Sequence, residues 1–167
     1  MTARVRPATV EDAGAIGEIH VRSWQAAYDG LLPADFLAGI SVGNRTAGWA
    51  RTLRDGGRVL VVEDPDVVGF AAFGPRRDEP GEGELYAIYL RPEAWSRGLG
   101  RLLHEEVLAS LTESGWPAAV LWVLATNERA KTFYERAGWA LDGGTRTETI
   151  AGGTVSLEEL RFRRPLP

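Results

Sequence analysis

Residues 118–124 read Ala-Ala-Val-Leu-Trp-Val-Leu, with no charge and no turn former. A strand with one wet face alternates polar and apolar residues, so a short run this uniformly apolar reads as a strand buried on both faces. Such a strand needs a covering layer above and below it. That requirement directs the chain toward helices packed on either side of a sheet. The 167 residues give room for one such domain, over residues 1–167, and little for a second.

The flanking pattern agrees. Residues 3–6 read as a short strand closed by Pro7, and Thr9 offers an N-cap with Glu11 and Asp12 in a first turn where acidic groups favour the helix dipole. Ile16, Ile19, His20, Ser23 and Trp24 recur at helical spacing until Asp29-Gly30. Pro33 starts a short second helix, and residues 44–53 form a third. Residues 58–63 and 67–73 are β-rich runs around Asp64-Pro65-Asp66, a hairpin signal; residues 75–83 are a polar loop and 84–90 another strand. Leu102, Leu103, Val107, Leu108 and Leu111 make the apolar stripe of the next helix. A last helix runs from Asn127 to Gly138, a glycine suited to the C′ position. Two final strands flank Ala151-Gly152-Gly153, the second carrying Val155, Leu157, Leu160 and Phe162. The expected fold is α/β (α+β), a single domain with a mixed twisted β-sheet of about six to seven strands flanked by helices.

Composition narrows function. Lys+Arg 19 against Asp+Glu 23 gives a net charge of −4, the wrong sign for a protein that neutralises a nucleic-acid backbone. With no cysteine there is no disulfide, thiolate zinc site, iron–sulfur cluster or Cys nucleophile, and two histidines, His20 and His104, do not make a His-rich metal centre. The longest apolar run, residues 118–125, falls well short of the ~18 residues a spanning helix needs. Arg4, Arg6, Glu11 and Asp12 interrupt any secretory apolar region near the start. The expectation is a cytoplasmic protein without a membrane or nucleic-acid partner.

The segment from Glu84 to Gly138 carries the chemistry. Its strand leads through Arg91-Pro92-Glu93 into Trp95-Ser96-Arg97-Gly98-Leu99-Gly100-Arg101, which opens a helix. Gly98 and Gly100 lack a Cβ, so backbone N–H groups there can approach a bulky anion. The helix N-terminus adds partial positive charge, and Arg97 and Arg101 add full charges. Together these make a pyrophosphate cradle. A P-loop would need Gly-Lys-Ser/Thr, which is missing, and a dinucleotide fingerprint would need a third glycine where Leu103 stands.

A third phosphate motif fits. Trp95-Ser96-Arg97-Gly98-Leu99-Gly100 resembles the acetyl-CoA motif of the GNAT N-acetyltransferase superfamily, Gln/Arg-x-x-Gly-x-Gly/Ala, with Trp95 departing from it in the first slot. Asn127-Glu128-Arg129-Ala130-Lys131-Thr132-Phe133-Tyr134-Glu135-Arg136-Ala137-Gly138-Trp139 resembles that superfamily's Asn-x-x-Ala-x-x-Phe-Tyr-x-x-x-Gly-Phe element. The two occur in the superfamily's order, joined by a helix and a strand, and a looser likeness extends over the whole chain.

The resemblance implies a GNAT-type domain that moves acetyl from acetyl-CoA directly to a primary amine of a small molecule or peptide, with no metal. It implies that main-chain groups of Ile88, Tyr89 and Leu90 hold the pantetheine arm. It puts the pyrophosphate on Ser96, Arg97, Gly98, Leu99, Gly100 and Arg101, and has Asn127 cap the last helix and reach the cofactor arm. An attacking amine with pKa ~10.4 is mostly protonated at neutral pH, so a general base helps; Glu84 stands at a spacing similar to that of the base in histone acetyltransferases of the superfamily. Tyr134 holds the superfamily's general-acid slot toward the departing CoA thiolate. His20, Trp24 and Tyr28, with Trp49, stand in segments that cover the acceptor side. Trp122 occupies the position where ribosomal-protein N-terminal acetyltransferases carry a catalytic glutamate, which disfavours that acceptor. His104 is expected at the surface. The last strand, residues 154–163, is expected at a sheet edge, where it can pair with a second copy in a homodimer. A second reading is a non-catalytic acyl-CoA-binding regulatory module.

Overall fold

The computed structural model describes residues 2–150 and 152–167; Ala151, read from the sequence as part of the final turn, lies outside them. The strands are β1 (Arg4–Pro7), β2 (Arg58–Glu63), β3 (Val67–Pro75), β4 (Gly83–Leu90), β5 (Ala118–Leu124), β6 (Ala140–Ile150) and β7 (Val155–Pro165). The helices are α1 (Ala13–Ala27), α2 (Ala34–Ala38), α3 (Val42–Arg54), α4 (Leu99–Glu113) and α5 (Glu128–Arg136). The strands form one seven-stranded sheet in the order β1-β2-β3-β4-β5-β7-β6. Every neighbouring pair is antiparallel except β4 with β5.

The sheet is covered on both faces, as the apolar run of β5 demands. On one face Leu103, Val107 and Leu111 of α4 are fully buried against Val62, Ala71, Leu121 and Phe162. Burying such side chains stabilises by roughly 1.5–3 kcal/mol each. On the other face Ile16 and Ile19 of α1, with Trp49 and Leu53 of α3, pack on Val59, Val61, Phe70 and Ala72. A Cβ on Gly17 would meet the Thr46 backbone nitrogen at 2.8 Å, so α1 and α3 approach as closely as they do because position 17 has none. A third cluster joins Tyr28 and Leu37 to Leu124, Val155 and Leu157, seating α2 on the β5–β7 end of the sheet.

Three expectations need correction. The third helix starts at Val42 because Ser41 is its cap, with Oγ accepting from the Asn44 N–H at 3.0 Å. The last strand is no edge. β7 pairs with β5 along one side and β6 along the other, so the pairing edge proposed for a homodimer is occupied within the chain. A period-2 pattern looks the same in an edge strand and an interior one, so the strand order was not readable from it. His104 is 2% exposed rather than at the surface, because Phe133 and Trp139 fold over it from α5 and the residues beyond it. Among the described residues, no helix is long and apolar enough to cross a membrane.

Candidate active site

β4 and β5 pair at Gly83↔Ala119 and Glu84↔Val120, and no further rung joins them. Tyr86 is left over between the Ala72↔Ala87 and Phe73↔Leu85 pairs, a bulge that bends β4 just where it leaves β5. From Leu85 to Leu90 the strand therefore presents main-chain groups to a gap instead of to a neighbour. The gap is the floor of a cleft of about 990 Å³, walled by Ile88, Tyr89 and Leu90 on one side and by Asn127, Phe133 and Tyr134 of the α5 region on the other. A peptide-like ligand can complete the ladder there as an added strand.

At one end of the cleft the backbone turns back on itself. Ser96 has φ 62 and Gly98 φ 78, two left-handed positions in quick succession. Such a turn gathers N–H groups into an anion-binding concavity. Gly98 caps α4 without a side chain, so the first-turn N–H groups of the helix remain unclaimed and add to it. Ser96, Gly98, Gly100 and Arg101 line the cleft. Leu99 is buried in the core under α4, and Arg97 turns away to pair with Asp64, so these two contribute main-chain groups at most. Trp95 donates from Nε1 to the Leu90 carbonyl at 3.0 Å, which ties the loop to the end of β4.

Over the middle of the cleft stand three phenols, Tyr28, Tyr89 and Tyr134, all lining it and electrostatically coupled. Burial holds each of them above the usual tyrosine value, so all three are protonated hydroxyls. Asn127 caps α5 by accepting from the Ala130 N–H at 3.2 Å, and its side chain also reaches the Tyr28 hydroxyl. Capping and lining are thus compatible in one residue.

His104 is a buried acceptor and His20 a half-buried one. His104 lines the cleft and takes a hydrogen bond at Nε2 from Trp139 Nε1 at 2.9 Å. His20 takes one at Nδ1 from Trp49 Nε1 at 3.0 Å and stacks on Tyr89 at 5.5 Å between centroids. Burial pushes each imidazole down to about 4, aided by the charge of Arg45 at His20 and of Arg164 at His104. His20 and Trp24 do not line the cleft; they support Tyr89 and Tyr28, whose rings they touch.

Glu84 opens elsewhere. Its carboxylate is 3% exposed and accepts from the Arg77 N–H at 3.0 Å, beside a polar recess of about 270 Å³ lined by Arg77, Asp78, Arg146 and Glu148. Glu84 and Tyr134 therefore do not share a cavity. An aromatic partition separates the two. Arg77 stacks over Tyr86 at 4.1 Å and Arg146 over Trp122 at 4.3 Å, and both rings line the main cleft. Sequence reasoning did not find this partition, nor Arg129, because each depends on contacts between distant segments at positions the motifs leave open.

Residues 15–139 match the acetyltransferase (GNAT) family model. The uncharacterized N-acetyltransferase YuaI of Bacillus subtilis (strain 168) is 36% identical over 125 residues, which span 74% of this chain and 72% of that protein. Among solved structures, the PaiA N-acetyltransferase from Thermoplasma acidophilum in complex with coenzyme A aligns with a TM-score of 0.73 and 19% identity over 99% of each chain. An N-acetyltransferase from Staphylococcus aureus Mu50 aligns with a TM-score of 0.76 and 22% identity over 100% of each chain. The family match spans both motifs and the two walls they build, and the chain belongs to the GNAT family of acetyltransferases.

Proposed function

We propose that the protein transfers an acetyl group from acetyl-CoA directly to a primary amine of a small molecule or peptide. The observation that carries this reading is the unpaired stretch of β4, which ends at an anion-binding turn and is overhung by Tyr134. The residues fit the cofactor: amide groups along Ile88, Tyr89 and Leu90 suit the pantetheine arm, and the Ser96–Gly98 turn with the α4 N-terminus suits the pyrophosphate. Coenzyme A in the Thermoplasma PaiA structure supports the same ligand class here.

When bound, acetyl-CoA supplies a thioester carbonyl for the amine and a thiolate leaving group. Tyr134, held protonated by burial, donates its hydroxyl proton toward that sulfur. Glu84 takes the amine's proton through water, from the recess side of the Tyr86–Trp122 partition. The acceptor accordingly enters from the recess side. Tyr28, steadied by Trp24 at 4.8 Å between ring centroids, lines the main cleft in which the thioester is held.

The test is thiol release from acetyl-CoA across a panel of amines. Release that depends on both an amine and Tyr134 is expected. Tight acetyl-CoA binding with no release for any amine would replace the enzyme reading with that of an acyl-CoA-binding regulatory module.

A further inference from the structure

Trp95 stands where the family motif has Gln or Arg, and the structure shows what the substitution does. The indole is fixed by its Nε1 bond to the Leu90 carbonyl at 3.0 Å, so its plane is set by β4. The Arg129 guanidinium, from the first turn of α5 across the cleft, lies over that plane at 3.7 Å from the ring centroid. Both residues line the cleft. Among the described residues, no carboxylate comes within 4.0 Å of Arg129, although most arginines of this chain have one.

Arg129 is an exposed residue whose guanidinium lies on the indole without an anionic partner. The stack holds the guanidinium in place by cation–π attraction and leaves the N–H edge free, since a stacked guanidinium keeps its five in-plane donors. Trp95 immediately precedes Ser96, whose left-handed backbone opens the anion turn. The guanidinium of Arg129 is thus held next to that turn.

We propose that Arg129 is a phosphate-binding residue of this protein, presented by Trp95 to the pyrophosphate of the CoA donor. It supplies, from the α5 side, a cationic side-chain donor next to the slot that here holds an indole. This inference rests on the acetyl-CoA reading above. Planar, bidentate recognition of phosphate oxygens is the use to which a stacked arginine is suited and a lysine is not.

Calorimetric titration tests it with acetyl-CoA and with dephospho-CoA, which keeps the pyrophosphate and lacks the 3′-phosphate. Arg129→Ala is expected to raise Kd by about ten- to hundredfold for both ligands, the scale of a lost charge-assisted contact. Arg129→Lys recovers only part of the loss, and Trp95→Ala weakens both ligands less than Arg129→Ala does. Thermal unfolding of the ligand-free Arg129→Ala protein is expected to match that of the parent, because the residue compensates no buried charge. Unchanged affinity in Arg129→Ala overturns the inference while leaving the acetyl-CoA reading intact. A loss seen with acetyl-CoA and absent with dephospho-CoA overturns the pyrophosphate assignment in favour of the 3′-phosphate. Failure of the parent protein to bind either ligand overturns both readings together.

Discussion

Glu84 and Val120 form the last rung between β4 and β5, and everything past that rung is cleft. The relationship puts Glu84 at the root of the gap and Leu90 at its mouth, beside the anion turn. Amides of β4 that face the gap have no partner in the free protein. Acetyl-CoA is expected to slow hydrogen exchange across residues 85–90 and to leave β2, paired on both sides, unchanged. Exchange in β4 that ignores the ligand would mean that the arm lies elsewhere.

Tyr134 belongs to the wall of the gap and packs edge-on against Phe133 at 5.4 Å between centroids. Tyr134→Phe keeps that packing and removes the proton. It is expected to lower kcat by about 10²- to 10³-fold, the range of a lost general acid, with Kd for acetyl-CoA unchanged. The phenol is raised above the ordinary 10.0, so it stays protonated as pH climbs, and no alkaline loss of activity from this group is expected below that value. A kcat within twofold of the parent would remove Tyr134 from the chemistry.

Glu84→Gln keeps an oxygen for the Arg77 N–H and removes the base. At pH 7 kcat/KM is expected to fall about a hundredfold. The deficit should shrink as pH approaches the acceptor's own pKa, because a neutral amine no longer needs the base. A deficit that is the same at every pH would assign Glu84 to holding the 77–84 segment in place.

The two histidines, His104 buried and His20 half-buried, set a pH dependence of stability. Each binds a proton readily when unfolded, near the ordinary 6.5, and resists it when folded, down to about 4. Between those values the unfolded chain binds more protons, so stability is fully present above about pH 6.5 and declines as pH falls toward 4. The loss from pH 7 to pH 5 is about 2 kcal/mol for each histidine, read as the free energy of urea unfolding. His20→Gln with His104→Gln should flatten this slope even at the cost of lower stability at pH 7. An equal slope in the parent and the double variant would contradict the assignment.

Much of this was legible in the chain because the informative signals are local. The run at 118–124 announced a strand covered on both faces, and β5 has those bounds with α4 on one side and the Tyr28 cluster on the other. Gly98 was read as a glycine that lets the backbone approach an anion and Gly138 as a helix-ending glycine, and both have positive φ. What was missed depends on packing between segments far apart in sequence. His104 sits beside the Leu103–Val107 stripe, and it is buried only because Trp139 crosses over it. The place of β7 between β5 and β6 follows from how the final hairpin folds back, which a two-residue period does not encode. Arg129 occupies an open position of the second motif, so nothing local marked it; its significance appears once Trp95 lies beneath it.

The most direct test of the central claim is calorimetric titration of the purified protein with acetyl-CoA, with free CoA run alongside. The account predicts one-to-one binding in the micromolar range for acetyl-CoA, weakened in Gly98→Asp, where a side chain enters a left-handed position and sets a negative charge beside the anion turn. No binding of either ligand, or affinity unaffected by Gly98→Asp, would contradict it.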